Sequence, residues 1–562
     1  MKKLNILLAG AAATMMWAGT SCVGDLDLIP NDPNSVNEVT ASTLPNILAK
    51  CYAGLAIEGQ NGPGSCDIAG IDGGRSQYIR TIFMMNEFPT DAVKWKWSDE
   101  GIVDLNTLTF DASNGNVYGT YSRFMSHIAV CNDYLRVAKE YGGEAEKHGM
   151  LEARLLRALS YYWMLDIFGQ SSFTLETDPI GSNPPQISRK ELYDWLSGEL
   201  EDIIAEFKES YPNDDVTYGK VGIDGAQALA ARLYLNAQVY SGTPAWEKCQ
   251  AHCEDIIARH KGTGFNGSGL ASNYLYLFCR SNNEYAPGGG NKAENEILWT
   301  VPYDSEMTRS YGGSFFIIAA STNTSNTFDP ATDKPGTEDK YNMDAADYGN
   351  NAPWTCMRAP GTFTNKFDIV NDNRTALWCT EKDGFSQYIE KFSIFNQGYA
   401  TIKFTSLIKG SNGDWSPENG GKYDPTGKTP ANVLNWSSTD WPMFRLADVY
   451  LMYAESYVMG GTGTASKAAE YISYVRQRAG LNAWNASDLT PDNVLDERAR
   501  EMYWELTRRS DLIRHNKFVS GYNWEYKGNV ATGADVPSRY NLMPIPTKII
   551  AAQPEFQQNP GY

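Results

Sequence analysis

Two blocks of amphipathic helical segments constrain the fold of this sequence more than any other feature. In the first block, Leu151, Leu155 and Leu159 recur at the spacing of one helix face. Gly169 follows where such a helix would end. The same spacing predicts further helices over 188–209, 225–242, 245–260, 441–461, 464–481 and 489–518. Short turns with glycine and proline separate these segments, which indicates helices packed as hairpins.

The stretch between the two blocks has a different composition. Gly, Asn, Asp, Thr and Pro dominate it, and short apolar runs at 296–303 and 398–407 predict only a few strands. Irregular segments of this length in compact proteins usually carry function. We therefore expect one mostly α-helical domain over 43–562. Its expected parts are a helical scaffold at about 43–273 and 441–520 and a loop-rich lobe at about 274–440.

The N-terminus has the pattern of a secretory signal. Lys2 and Lys3 precede a short apolar run, and small residues end that run at Cys22. The motif AGTSC resembles a bacterial lipobox, whose cysteine becomes the acylated first residue of the mature protein; the alternative is an ordinary secreted protein. We expect a signal peptide over 1–21, lipid attachment at Cys22 and a tether over 22–42. No later apolar stretch approaches the length of a membrane span, so lipid alone would hold the chain to a membrane.

The charge of the chain argues against one class of partner. The formal net charge is −19 at pH 7. Such a surface repels phosphate backbones, and we expect no nucleic-acid partner. Aromatic residues make up 12% of the sequence, and neutral polar ligands such as sugars are compatible with this composition.

The cysteines and histidines do not form a metal-binding pattern. The chain has 9 cysteines without the dense spacing of a disulfide framework. Cys249 and Cys253 are four residues apart on a predicted helix, where buried free thiols are the common arrangement. There is no CxxC pair, and the 5 histidines are scattered. We expect neither a metal nor a cofactor.

Three glutamates near the C-terminus resemble a catalytic set. Glu497, Glu501 and Glu505 lie at i, i+4 and i+8 of a predicted helix. The arginines interleaved with them are Arg498, Arg500, Arg508, Arg509 and Arg514. An ion-pair network is therefore the simpler interpretation. The sequence has no GxSxG or HExxH motif, and the glycines of IDGGRS lack a strand–turn–helix setting. We expect a protein that is not an enzyme.

Trp95 and Trp97 lie in the polar segment AVKWKWSDEG and require an explanation. In an extended chain the two side chains would share a face, or they would splay apart at a bend. Tryptophan often packs in a core, but polar neighbours on both sides favour at least one exposed indole. An exposed indole offers a flat apolar surface on which the apolar face of a sugar ring can stack.

Other residues would complete such a sugar site. Tyr311 and Trp354 are further candidates for exposed rings, and a curved set of rings would match a helical glucan. Polar side chains near the tryptophans could hydrogen-bond sugar hydroxyls, namely Asp72, Arg80, Asp99 and Glu100.

Several long motifs of the chain resemble those of the SusD/RagB family of surface glycan-binding lipoproteins. The motifs are, in order, EARLLRALSYYWMLDIFG, GAQALAARLYLNAQVYSG, WPMFRLADVYLMYAES and DERAREMYWELTRRSDLIRHNKF. The resemblance runs from Cys22 to the C-terminal QNPGY. It implies a SusD-like fold with tetratricopeptide-like helical hairpins and a large loop-rich lobe.

The resemblance also implies a ligand. The stretches YIRTIFMMNEFPTDAVKWKWSDEG, YGGS and NAPWTC are similar to those of the family's starch-binding member. The aromatic arc of that member is matched here by Trp97, Tyr311 and Trp354. By the same match, Arg80 would bond hydroxyls, Trp95 would lie beside the arc, and Glu100 stands near a position where the pattern has asparagine.

Family membership further implies a location and a partner. The location is the outer membrane, with the chain lipid-anchored and exposed at the cell surface. The partner is a SusC-like TonB-dependent transporter, which would receive starch or malto-oligosaccharides. The alternatives are another glycan such as a fructan or mixed-linkage glucan, a peptide captured as by RagB-like relatives, and a glycoside hydrolase.

Overall fold

The computed structural model describes residues 40–141, 143–212, 218–280, 282, 293–323, 343–407 and 435–562. The expected signal peptide over 1–21, the lipid attachment at Cys22 and the tether as far as residue 39 lie outside the described residues. None of the helices that the structure describes is long and apolar enough to cross a bilayer.

The described helices cluster in two parts of the chain, as the sequence pattern predicts. The first part contains α1 (Leu44–Ala56), α2 (Tyr78–Asn86), α3 (Ile102–Thr107), α4 (Gly115–Tyr141), α5 (Glu144–Ile167), α6 (Arg189–Ser210), α7 (Ile223–Leu235), α8 (Ala237–Ser241) and α9 (Trp246–His260). The loop-rich part contains α10 (Ala293–Glu296), α11 (Gly313–Ser321) and α12 (Gly361–Thr364). The second helical part contains α13 (Leu446–Val458), α14 (Ala465–Arg478), α15 (Pro491–Met502), α16 (Arg508–Arg514) and α17 (Thr547–Ala552).

Helices that follow one another in the chain pack side by side. The series of contacts runs α4–α5–α6–α7–α9, and α9 then packs against α13, which contacts α14 and α15. The contact between α9 and α13 joins the two helical parts into one scaffold. The helix ends follow the expected chemistry: the Thr490 hydroxyl accepts the Asn493 N–H at 3.1 Å at the start of α15. Gly169 adopts a left-handed φ of 76° just after α5.

Three of the predicted helices differ from the observed ones. The one over 441–461 starts late, because Trp441–Arg445 form a strand and the helix begins only at Leu446. The one over 225–242 divides at Asn236, which leaves the helical conformation between α7 and α8. The one over 489–518 divides between α15 and α16, where Trp504 has a φ of 61°. Trp504 is buried there, and its indole N–H donates to the Ala92 carbonyl at 3.1 Å. Burial of this large side chain against a distant segment outweighs the local helical preference.

In the part of the chain that the structure describes, the strands are few and short and all pair antiparallel, and two of the three pairs join segments far apart in the chain. The pairs are β1 (Lys94–Trp95) with β5 (Met357–Arg358), β2 (Ser171–Ser172) with β3 (Gln186–Ile187), and β4 (Ile297–Val301) with β6 (Trp441–Arg445). The strand predicted over 296–303 is therefore present. The strand predicted over 398–407 is wrong, because Tyr399 and Ala400 form only isolated bridges.

A buried network of charged side chains joins the C-terminal helices to the loop-rich lobe. Arg445 lies at its centre, 2.7 Å from Glu296, 3.0 Å from Glu501 and 2.6 Å from Glu505. Arg374 and Arg478 bind Glu501 from other elements. The expected ion-pair network is thus confirmed, and these glutamates serve the scaffold.

The partners within the network differ from the expected ones. Of the five interleaved arginines, only Arg500 pairs with Glu497, Glu501 or Glu505 among the described contacts. The other arginines bind acids elsewhere, namely Asp448, Asp91, Asp166 and Glu455. For Arg508, Arg509 and Arg514 the reason is the break between α15 and α16, which removes the second half of the predicted helix from the common face. Arg498 lies within α15 and binds Asp448 of α13.

We predict that Arg445→Met destabilises the protein by about 3–5 kcal/mol, because it removes the central cation that Glu296, Glu501 and Glu505 share and leaves their buried charges incompletely paired. The measurement is the free energy of unfolding from urea denaturation. Arg309→Met is the matched control, since the Arg309–Glu306 pair is 46% and 77% exposed and should contribute less than about 1 kcal/mol. Equal effects of the two substitutions would contradict the structural role of the network.

Candidate functional site

A two-residue antiparallel ladder brings the tryptophan segment to the loop-rich lobe. Lys94 pairs with Arg358 and Trp95 with Met357, and the Lys96 N–H extends the ladder by donating to the Cys356 carbonyl at 2.7 Å. The next residue on one strand is Trp97, and Trp354 lies two residues before Cys356 on the other. Continued by one residue, this antiparallel register sets Trp97 opposite Thr355, the neighbour of Trp354, and so brings together the segments that carry the two indoles.

Helix α11 fixes the position of Trp354. The Trp354 N–H donates to the Ala319 carbonyl at 2.6 Å, and the Cys356 N–H donates to the Ala320 carbonyl at 3.0 Å. Between them Thr355 has a φ of 63°, a left-handed conformation that costs a non-glycine residue of the order of 1 kcal/mol. Tyr311 lies two residues before the start of the same helix. One short helix therefore positions both Tyr311 and Trp354.

Trp97, Trp354 and Tyr311 form a bent row of rings, which we call the aromatic row. The ring centroids of Trp97 and Trp354 are 6.3 Å apart with an interplanar angle of 34°. Those of Trp354 and Tyr311 are 6.1 Å apart at 38°. Trp97 is 37% exposed, and the other two rings are partly exposed. The row lines an open concavity of about 280 Å³.

Trp95 has the opposite environment from Trp97. It is 1% exposed and stacks on Phe316 of α11 with a centroid distance of 5.7 Å. Its ring supports Trp97 edge-on at 5.6 Å and 80°. Its indole N–H donates to Asp99 Oδ2 at 2.6 Å. The polar segment thus places one indole in the core and the other in solvent.

Two buried charged groups hold the backbone of Tyr311. Glu58 Oε1 accepts the Tyr311 N–H at 2.5 Å, and Arg80 Nη1 donates to the Tyr311 carbonyl at 3.0 Å. The guanidinium of Arg80 also lies 4.6 Å from the centroid of Phe316 and 5.4 Å from that of Trp354. Burial raises the pKa of Glu58 to about 7 and lowers that of Arg80 to about 10.

The polar candidates divide into two groups. Asp72, Arg80 and Asp99 line the concavity together with the aromatic row. Glu100 is not among the lining residues; its backbone carbonyl accepts from Arg75 Nη1 at 3.3 Å and from Asn116 Nδ2 at 3.2 Å. The described contact between Glu100 and the site is therefore made by its backbone carbonyl, which accepts from the lining residue Arg75.

Three residues near the site escaped the sequence analysis. Trp436 lies 5.1 Å from Tyr311 and 4.8 Å from Phe315 between ring centroids. Arg75 lines the concavity beside Asp99. Trp436 carries the signal that singled out Trp95 and Trp97, an indole between polar residues in the segment NWSS. Phe315 and Arg75 had no comparable signal.

A larger cavity of about 560 Å³ lies elsewhere, between α1, α5 and β4. Aliphatic residues such as Leu44 and Leu48 form part of its walls. Its buried Glu152 is bound to Tyr52 at 2.5 Å and to His148 at 2.9 Å. The aromatic row and the charged side chains beside it make the smaller concavity the better candidate for a polar ligand. Within the described residues, no three His, Cys, Asp or Glu side chains converge as a metal site, and Cys249 and Cys253 are buried free thiols, as predicted.

Comparison with known proteins identifies the family. A family model for the SusD family matches residues 295–562. The chain is 30% identical over 597 aligned positions to "Starch-binding protein SusD" of Bacteroides thetaiotaomicron, covering 100% of this chain and 99% of that protein. It is 23% identical to a "SusD-like protein" of Bacteroides ovatus, covering 75% of this chain and 70% of that protein. The chain belongs to the SusD family.

Solved structures agree on the fold. Surface glycan-binding protein A from Bacteroides fluxus matches with a TM-score of 0.64 at 19% identity, covering 93% of this chain and 100% of that chain. Surface glycan-binding protein A from Bacteroides thetaiotaomicron, in complex with laminarihexaose, matches with a TM-score of 0.62 at 18% identity, with the same coverage. The expected SusD-like, mostly helical architecture with a loop-rich lobe is confirmed.

We predict that Glu58→Gln changes how stability depends on pH. Glu58 ionises near pH 4.5 in the unfolded chain and near pH 7 in the folded one, so the folded state binds more protons between these values and the wild type loses stability as pH rises through this window. Glutamine has no charge to bury, yet its carbonyl can still accept the Tyr311 N–H. The variant should therefore gain up to about 3 kcal/mol relative to wild type from pH 4.5 to 7.

Thermal unfolding of both proteins across this pH range measures the difference. Glu306→Gln is the control, because the side chain of Glu306 is 77% exposed. A difference between Glu58→Gln and wild type that stays constant with pH would show that Glu58 is not a buried, titrating carboxyl.

Proposed function

We propose that this chain is a non-catalytic cell-surface lipoprotein that binds starch-type α-glucans by stacking their sugar rings on the aromatic row. The observation that carries the proposal is the bent geometry of Trp97, Trp354 and Tyr311 on one partly exposed face. Successive rings are inclined by 34° and 38°, and a helical glucan presents its apolar faces along a curve. Similarity over the whole chain to a protein named as starch-binding supports the same ligand.

The forces available at this site suit a weakly held neutral ligand. Each stacked ring contributes on the order of 1 kcal/mol beyond the burial of apolar area, and sugar hydroxyls lose well-ordered water on binding. We therefore expect a dissociation constant between roughly millimolar and micromolar, about −4 to −8 kcal/mol. A polymer would bind more tightly through repeated segments.

The proposal includes a location and a partner. Acylation of Cys22 would anchor the chain to the outer membrane, with the aromatic row exposed outside the cell. A SusC-like TonB-dependent transporter would receive the bound oligosaccharide. Membership of the SusD family supports both statements.

We predict that wild type binds maltoheptaose and that Trp97→Ala weakens this binding by at least about tenfold, or about 1.4 kcal/mol. The substitution removes the most exposed ring of the row and uncovers Trp95. Isothermal titration calorimetry measures both affinities, and quenching of tryptophan fluorescence reports the contact independently.

Tyr388→Ala is the matched control, because Tyr388 is a 51% exposed aromatic residue of the loop-rich lobe that lies outside the aromatic row. A wild type that gives no heat with maltoheptaose would remove α-glucans as the ligand, and an array of fructans and mixed-linkage glucans would then test the glycan class. Wild-type affinity in Trp97→Ala would contradict the stacking site. Release of reducing sugar from starch would contradict a non-catalytic role.

A further inference from the structure

The glycines of the segment IDGGRS have a packing role at the aromatic row. A Cβ atom on Gly73 would lie 2.0 Å from the Gly64 carbonyl oxygen, and one on Gly74 would lie 2.8 Å from the Tyr311 Cβ. Only residues without side chains allow the chain to pass so close to the Gly64 backbone and to Tyr311. This close passage places the flanking residues Asp72 and Arg75 in the wall of the concavity.

Arg75 joins this loop to the segment that follows Trp97. Its Nη2 donates to Asp99 Oδ1 at 2.9 Å, and its Nη1 donates to the Glu100 carbonyl at 3.3 Å. The backbone N–H of Arg75 donates to Asp72 Oδ1 at 3.3 Å. The side chains of Arg75 and Asp99 are 20% and 26% exposed, so both remain accessible from the concavity.

Asp99 is held in place from two sides. Its Oδ1 accepts from Arg75, and its Oδ2 accepts from the buried indole of Trp95 at 2.6 Å. A carboxylate can accept up to about four hydrogen bonds, and a guanidinium has five N–H donors. The contacts described leave acceptor capacity on Asp99 and donor capacity on Arg75, next to the aromatic row.

The chemistry of this pair complements a sugar. Each sugar hydroxyl both donates and accepts, so two neighbouring hydroxyls can donate to a carboxylate and accept from a guanidinium. The paired charges cancel, which suits a neutral ligand, and a pair already fixed in place loses little entropy on binding. Arg80 differs from Arg75, since Arg80 is buried and its guanidinium contacts the Tyr311 backbone and the faces of Phe316 and Trp354.

We propose that the side chains of Arg75 and Asp99 hydrogen-bond directly to neighbouring hydroxyl groups of the glycan that stacks on the aromatic row. This inference rests on the proposed glycan-binding function. The aromatic row supplies stacking that tolerates many sugars, and the Arg75–Asp99 pair selects sugars whose hydroxyls meet it.

The test measures maltoheptaose affinity by isothermal titration calorimetry for wild type, Arg75→Gln, Arg75→Lys and Asp99→Asn. We expect Arg75→Gln and Asp99→Asn each to weaken binding by about tenfold. Asparagine can still accept the Trp95 N–H, so Asp99→Asn preserves that contact while it removes the charge. Arg75→Lys keeps a charged donor and should remain within about threefold of wild type. Arg309→Gln, an exposed arginine outside the concavity, is the control and should bind as wild type does.

Thermal midpoints separate ligand contact from a structural role. The proposal holds if Arg75→Gln loses affinity while its midpoint stays at the wild-type value and Arg75→Lys restores binding. It is overturned if both Arg75→Gln and Asp99→Asn bind as wild type does, or if the affinity is lost together with a lowered midpoint and lysine does not restore it. If the wild type does not bind maltoheptaose, the proposed α-glucan function is contradicted, and the contact of Arg75 and Asp99 with such a glycan is contradicted with it.

Discussion

The short ladder between β1 and β5 is the interaction on which the site depends. It joins a segment that follows the second helix of the scaffold to a segment of the loop-rich lobe more than 250 residues later in the chain. It brings the segment of Trp97 next to that of Trp354, whose ring centroids lie 6.3 Å apart, and a slip of one residue would turn the side chains of a strand toward the opposite face. The hydrogen bonds from Trp354 and Cys356 to the end of α11 fix the same segment from its other side.

The site is rigid because each of its rings is held through its backbone or through a buried neighbour. Tyr311 is bound at its N–H by Glu58 and at its carbonyl by Arg80, and Trp97 rests on the buried ring of Trp95. Groups that are already ordered lose little conformational entropy when a ligand binds. This matters for a neutral ligand, since the gain per stacked ring is only on the order of 1 kcal/mol.

The sequence predicted the elements of the scaffold well and the long-range contacts poorly. Periodic apolar residues located the helices, and the polar context of the tryptophans indicated an exposed indole. Neither signal could tell which of Trp95 and Trp97 is exposed, because the answer depends on packing against Phe316 in a distant helix. The break at Trp504 and the contact of Glu58 with Tyr311 also rest on partners far away in the chain, which local patterns do not encode.

The most direct test of the central claim is a crystal structure of the protein bound to maltoheptaose. We predict glucosyl rings stacked on the faces of Trp97, Trp354 and Tyr311, with hydroxyl groups directed toward the concavity. Maltoheptaose bound at another surface, with these three rings left uncovered, would contradict the claim.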